Sequence, residues 1–137
     1  DWAIQGRWTN ALASWRAGDC ANAGVAFEGV AARASDIDMR AAGMYWAARA
    51  DMACGRPDKV QARLQSAAQF SESFYGQLAR QALALKDKIA SGEYHPFTGP
   101  LNKADGSAWL ADGETATDEE LSGMDFFVEG ITAELPQ

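Results

Sequence analysis

The chain of 137 residues carries a net charge of −7, and 47% of its residues are hydrophobic, which suffices for a sizeable buried core. It has no run of the roughly 18 apolar residues that a membrane-spanning helix needs, so no membrane span is expected. All twelve lysines and arginines lie within residues 1–103, whereas residues 104–137 hold nine acids and no base. Because no basic stripe is interleaved with aromatic residues, a nucleic-acid partner is not expected.

The spacing of apolar residues predicts five helices in the first two-thirds of the chain. In chain order, their predicted starts are close to residues 2, 20, 40, 57 and 71, and the last continues to about residue 90. Gly18 and Gly55 are typical helix ends, and Pro57 is typical of a first helical turn. Asp19 and Ser71 are the expected capping residues of the second and fifth helices.

The predicted helices repeat with a period of 37 residues. A shift of 37 positions aligns two successive helix pairs at equivalent residues: Trp8 with Tyr45, Ala11 with Ala48, Gly18 with Gly55, Phe27 with Leu64 and Ala31 with Ala68. This period is slightly longer than the tetratricopeptide unit of about 34 residues. The sequence therefore predicts an all-α fold over residues 1–90, in which tetratricopeptide-like antiparallel helix pairs form a superhelical stack.

The composition changes after residue 90. Glycines and prolines interrupt residues 91–116, which are predicted to form an extended loop or strap. A capping box beginning at Thr117 and an apolar stripe at helical spacing predict a C-terminal amphipathic helix over residues 117–137. This helix either docks on the stack or binds a protein partner or neighbouring domain.

Five segments of the front two-thirds resemble the superhelical region of soluble lytic murein transglycosylases. They are WRAGDC (15–20), AFEGVA (26–31), YWAARA (45–50), GRPDKV (55–60) and ESFYGQLARQAL (72–83). In that family the superhelix is a non-catalytic body that carries a separate lysozyme-like domain, and that domain cleaves the glycan strand of peptidoglycan. The resemblance implies a periplasmic or envelope protein of a Gram-negative bacterium.

The function expected from this resemblance is a non-catalytic module that supports or presents peptidoglycan to a covalently linked or associated catalytic domain. The alternative is a tetratricopeptide-like adaptor that binds a protein segment in its concave face. The chain begins at Asp1 without a methionine, so we expect a mature form or a piece of a longer protein. A catalytic domain following Gln137 in the gene would distinguish the two functions.

No catalytic, metal or cofactor site is predicted. The family's catalytic motif is Glu-Ser-x-Phe, but Glu72-Ser73-Phe74 lacks the intervening residue and precedes an ordinary helix. We therefore interpret Glu72 as part of the first turn of the fifth helix. His95 is the only histidine, and one histidine with two cysteines predicts neither a catalytic triad nor a four-ligand zinc site.

The candidate binding residues are three aromatic residues and one arginine: Tyr45, Trp46, Arg49 and Tyr75. Their positions are compatible with a groove for a sugar or peptide. The alternative is that these aromatic residues belong to the core, while the guanidinium of Arg49 pairs with Glu72 or Glu28.

Cys20 begins the second predicted helix and Cys54 ends the third. In antiparallel neighbours these positions lie at the same end of the molecule. They are either two buried thiols or a disulfide, and the oxidising envelope that the resemblance implies favours a Cys20–Cys54 disulfide.

Overall fold

The computed structural model describes residues 1–131, and the predicted all-α architecture is confirmed. These residues form six helices: α1 (Trp2–Arg16), α2 (Cys20–Arg33), α3 (Ile37–Ala53), α4 (Pro57–Ala68), α5 (Phe74–Ser91) and α6 (Asp118–Ser122). Two short strands, β1 (Leu101–Asn102) and β2 (Ala108–Leu110), pair antiparallel. The chain divides into two compact units, Asp1–Asp87 and Lys88–Gln137. None of the helices within residues 1–131 is long and apolar enough to span a membrane.

In the first unit, α1 packs on α2, α2 on α3, and α3 on α4. Short turns connect them, and Gly18 and Gly55 occupy equivalent places in two of these turns with φ angles of 76° and 67°. Both values lie in the left-handed region that glycine adopts without strain. A residue in this conformation ends the helix that precedes it. The 37-residue period therefore corresponds to a repeated helix pair.

The core of the first unit is built mainly from small residues. One fully buried cluster contains Ala11, Ala23, Phe27, Ala47 and Ala50, and three half-buried tryptophans pack around it. Small side chains allow neighbouring helices to approach closely, and Phe27 fills the space that the alanines leave.

Helix α3 begins three residues before its predicted start near residue 40. It begins at Ile37, because the carboxylate of Asp36 caps it by accepting hydrogen bonds from the backbone N–H groups of Asp38 and Met39, both at 3.3 Å. Its buried residues are mostly alanines, and Met52 is 59% exposed.

Helix α5 begins at Phe74, two residues after the start that a cap at Ser71 predicts. The residue before its first turn is Ser73, whose hydroxyl accepts a hydrogen bond from the N–H of Gly76 at 3.0 Å and donates one to the carbonyl of Phe70 at 2.8 Å. Because of this hydrogen bond from Gly76, the buried residue Ser73 caps the helix, and Ser71 does not.

The second unit replaces the predicted loop over residues 91–116 with a hydrogen-bonded β-hairpin. Strands β1 and β2 pair at Leu101 and Leu110, and an isolated bridge joins Thr98 to Thr115. Leu110 is buried. A loop of this length acquires structure here because its extended segments satisfy one another's backbone groups.

The structure also shortens the predicted C-terminal helix. The capping box between Thr117 and Glu120 is present, but α6 ends at Ser122 and is followed by Gly123. The chain then pairs with the hairpin, where Val128 bridges Lys103. These long-range backbone hydrogen bonds replace helical ones over residues 123–131. The remainder of the predicted helix, residues 132–137, lies outside the described residues.

Candidate functional site

The four candidate binding residues form a row across two helices. Helix α3 carries Tyr45, Trp46 and Arg49, and α5 carries Tyr75. The ring centroids of Tyr45 and Tyr75 lie 5.5 Å apart, and those of Tyr45 and Trp46 lie 6.5 Å apart. The aromatic rings are half-buried, whereas Arg49 is exposed. The structure therefore brings the four side chains together at the surface of the first unit.

Arg49 has aromatic neighbours instead of the acidic partners expected from the sequence. Its guanidinium carbon lies 4.8 Å from the ring centroid of Trp46 and 5.7 Å from that of Trp15. Within residues 1–131 it forms no ion pair with Glu72, with Glu28 or with another carboxylate. Cation–π attraction to two indole rings holds the side chain where a salt bridge was expected.

An open groove of about 300 Å³ lies beside this row. Tyr45 and Arg49 line it, whereas Trp46 and Tyr75 do not. The remaining lining is mostly apolar and comes from α1, α3, α4 and α5: Trp15, Ala48, Met52, Ala53, Val60, Leu64 and Ala82. A second depression of about 370 Å³ shares four of these residues and extends toward Lys86. The two depressions form one apolar channel with Arg49 near one end.

A buried charge cluster that the sequence analysis missed lies on α3. Asp51 is 2% exposed, and its carboxylate accepts a hydrogen bond from the guanidinium of Arg63 and forms an ion pair at 3.0 Å with that of Arg56. Arg63 also contacts Glu28 at 3.4 Å. Burial alone lowers the pKa of Arg63, but its hydrogen bonds to Asp51 and Glu28 outweigh burial and raise that pKa above its ordinary value. The cluster joins α2, α3 and α4.

One feature of the sequence could have predicted this cluster. Asp51 lies near the carboxyl end of α3, where the helix dipole disfavours a negative charge, and its neighbours along the helix are mostly alanine. An acid at such a place needs a compensating cation. Arg56 and Arg63 supply it from the following turn and from α4.

Glu72 and His95 both lie outside the helices. Glu72 is exposed in the turn before α5 and lies outside the helix, contrary to its interpretation as a first-turn residue. The Nδ1 atom of His95 accepts a hydrogen bond from the N–H of Phe97 at 3.3 Å. No group of three or more histidine, cysteine or acidic residues within residues 1–131 is arranged to hold a metal ion.

The predicted disulfide is present. Cys20, the first residue of α2, and Cys54, which follows α3, are joined with their Cα atoms 5.7 Å apart. This separation is typical of protein disulfides. The bond links one end of α2 to the adjacent end of α3.

No protein-family model matches the chain. The chain is similar to a purine-binding protein of Brucella abortus (strain 2308), with 56% identity over 50 residues. These residues make up 36% of this chain but only 14% of the Brucella protein. The match therefore spans a small part of that relative's length.

Proposed function

We propose that residues 1–90 form a non-catalytic superhelical module of a periplasmic protein similar to the soluble lytic murein transglycosylases, and that the module supports or presents peptidoglycan to a separate catalytic domain. The observation that carries this proposal is the repeated helix pair, in which Gly18 and Gly55 follow the first helix of each pair with matching φ angles. The five segments that resemble the family lie in consecutive helices and turns of this repeat. The Cys20–Cys54 disulfide is compatible with an oxidising compartment.

The acids of the first unit support a non-catalytic role. Cleavage of a glycosidic bond needs a carboxyl group that an apolar pocket keeps protonated near the leaving oxygen. Glu72 is exposed to solvent in a turn. Asp51 is buried, but two arginines occupy its carboxylate oxygens. Neither residue meets the requirement for a general acid.

Co-sedimentation with purified sacculi tests the proposal. The full chain is expected to sediment with protease-treated sacculi and to leave the supernatant free of anhydro-muropeptides in mass spectra. Insoluble chitin, a glycan without peptide stems, is the control. Failure to sediment with sacculi contradicts the peptidoglycan role. Release of anhydro-muropeptides by the wild type, but not by Glu72→Gln, contradicts the non-catalytic assignment.

A tetratricopeptide-like adaptor is the second candidate, and the apolar channel between α3, α4 and α5 favours it. Such a channel fits the apolar side chains of a protein segment. The same experiment separates the two functions. An adaptor is expected to bind sacculi that retain their attached proteins and to lose this binding after protease treatment.

Purine binding is a third candidate, favoured by the 56% identity to the Brucella protein over 50 residues. If this segment binds purines without the rest of that relative, calorimetric titration of the full chain with adenine, guanine and their nucleosides is expected to give saturable heats. Titration with uridine is the control. The absence of heat for every purine contradicts this candidate and leaves the peptidoglycan proposal untouched.

A further inference from the structure

We propose that Arg49 and the adjoining apolar groove bind the carboxylate-terminated peptide stem of peptidoglycan. The inference rests on the proposed function and deepens it, because it names the part of peptidoglycan that the module recognises. It begins with the charge of Arg49, which has no ion-pair partner within residues 1–131. Arg56 and Arg63, by contrast, pair with Asp51, whereas Arg40, the other arginine of α3, lies 5.4 Å from the ring centroid of Phe70 and has no ion-pair partner within these residues either.

The aromatic contacts of Arg49 leave its hydrogen-bonding capacity open. Its guanidinium carbon lies 4.8 Å from the ring centroid of Trp46, and within residues 1–131 the guanidinium donates no hydrogen bond, unlike those of Arg63 and Arg80. The N–H donors of a guanidinium point outward in its plane, in a fork that matches the two oxygens of a carboxylate. Trp15, 5.7 Å away, restrains the same group from a second side. These two cation–π contacts restrain the exposed side chain before a ligand arrives, which reduces the entropy lost on binding.

The groove beside Arg49 determines which groups of a ligand fit next to its carboxylate. Its volume of about 300 Å³ lies at the lower end of the range for small-molecule sites. Met52, Val60, Leu64 and Ala82 give it an apolar lining, and Tyr45 lies at its border. A ligand that fits has one terminal carboxylate and, next to it, small apolar side chains. The D-alanyl-D-alanine end of a peptide stem has this chemistry, because two methyl groups directly precede a free carboxylate.

Charge complementarity favours the stem terminus over the glycan. The uncharged hydroxyls of a sugar would leave the guanidinium without a counter-charge. The adjoining depression, which continues past Met52 toward Lys86, offers room for the next residue of the stem. Sugars stack on exposed aromatic faces, but Trp46 is half-buried and one of its neighbours is Phe27, whose ring centroid lies 5.7 Å away.

A pair of synthetic peptides tests the site on the full chain. The first is diacetyl-L-lysyl-D-alanyl-D-alanine with a free carboxylate, and the second is the same peptide with a C-terminal amide. Binding is followed by NMR through the indole N–H signals of Trp15 and Trp46. The free acid is expected to bind with a dissociation constant of the order of 1 mM, since one partly exposed ion pair and a small apolar contact contribute little. The amide is expected to bind at least about tenfold more weakly, a difference that corresponds to about 1.4 kcal/mol.

Substitution of Arg49 identifies the group responsible. Arg49→Gln is expected to bind the acid and the amide equally weakly, and Arg49→Lys is expected to recover only part of the discrimination because an ammonium lacks the planar fork. Arg7→Gln, a change of an exposed arginine on α1, is the matched control and is expected to behave as the wild type. The ratio of acid to amide binding is measured within each variant, so a change in stability does not imitate the effect.

Three results would overturn the proposed site. The first is equal binding of the acid and the amide by the wild type, and the second is unchanged discrimination in Arg49→Gln. The third is tighter binding of acetyl-Asp-Leu-Glu-amide, which has only side-chain carboxylates, because it would assign the groove to a protein segment. If the site fails while the wild type still sediments with sacculi, the proposed function stands without it. If sedimentation also fails, both are contradicted.

Discussion

At Gly43, helices α2 and α3 approach so closely that no side chain fits between them. A Cβ atom at this position would lie 2.7 Å from the backbone nitrogen of Ala31 and 2.8 Å from the carbonyl oxygen of Phe27. Both atoms belong to the backbone of α2 and cannot rotate away. The space between these helices is therefore fixed by the absence of a side chain at one residue.

Gly43→Ala is expected to lower the free energy of unfolding by about 1–3 kcal/mol, the usual cost of forcing an extra carbon into a packed core. The matched control is Gly6→Ala on α1, where a Cβ would meet nothing within 4 Å. That variant is expected to gain about 0.5–1 kcal/mol from helix propensity alone. Urea denaturation measures both. A gain in stability for both variants would contradict the close contact at Gly43.

The buried carboxylate of Asp51 is expected to matter more for stability than its exposed neighbour Glu28. Asp51→Asn leaves the guanidinium of Arg63 without its buried counter-charge, and such a loss costs about 3–5 kcal/mol in fully buried pairs. We expect about 3 kcal/mol, since Arg63 retains 21% side-chain exposure. Glu28→Gln, which removes a 60% exposed partner, is expected to cost less than about 1 kcal/mol. Equal losses of unfolding free energy in the two variants, measured by urea denaturation, would show that burial does not determine how much each ion pair of this cluster stabilises the fold.

At the scale of elements, the disulfide between the ends of α2 and α3 offers a direct test of how the stack is stabilised. A cross-link of this kind typically contributes about 2–4 kcal/mol, mainly by restricting the unfolded chain. Reduction is therefore expected to lower the melting temperature by about 10–20 °C in a domain of this size. The double variant Cys20→Ala, Cys54→Ala should melt close to the reduced wild type and should not respond to reductant. A wild type that melts identically with and without reductant would show that the bond adds no stability.

Much of the first unit could be predicted from sequence because its signals are local. Gly18, Gly55 and Pro57 lie within a few residues of the helix ends that they determine. Near α5 the local sequence does not determine where the helix starts, because Ser71 and Ser73 are both good capping residues. In the structure the buried hydroxyl of Ser73 makes the cap.

The parts that were missed depend on contacts between distant residues. Residues 123–131 continue an apolar stripe at helical spacing, yet backbone pairing of Lys103 with Val128 prevails over it. Similarly, the sequence places Arg49 beside Tyr45 and Trp46, but it does not reveal that Trp15 of α1 lies near the guanidinium or that Arg49 forms no ion pair within residues 1–131. Local patterns predict elements, whereas partners across elements depend on the tertiary fold.

At the scale of the whole molecule, the chain consists of two compact units, and the boundary between them in the sequence falls within α5. Both buried clusters of the first unit lie between Ile4 and Ala50, well before the boundary. A fragment of residues 1–91, which retains all of α5, is therefore expected to fold by itself. Circular dichroism should show a helical spectrum and one cooperative thermal transition. A fragment that is unfolded, or that melts without cooperativity, would show that the first unit needs residues 92–137.

The position of the disulfide also affects how the chain responds to proteolysis. Cys20 and Cys54 lie on either side of the turn at residues 34–36, where Ser35 and Asp36 are exposed. A protease that cuts the backbone in this turn would produce two polypeptides that remain covalently joined and separate only on a reducing gel. Because α1–α2 and α3–α4 would stay linked at one end, the nicked protein could keep its helices packed. In a compartment rich in proteases, one cut in this turn would not release either half of the stack.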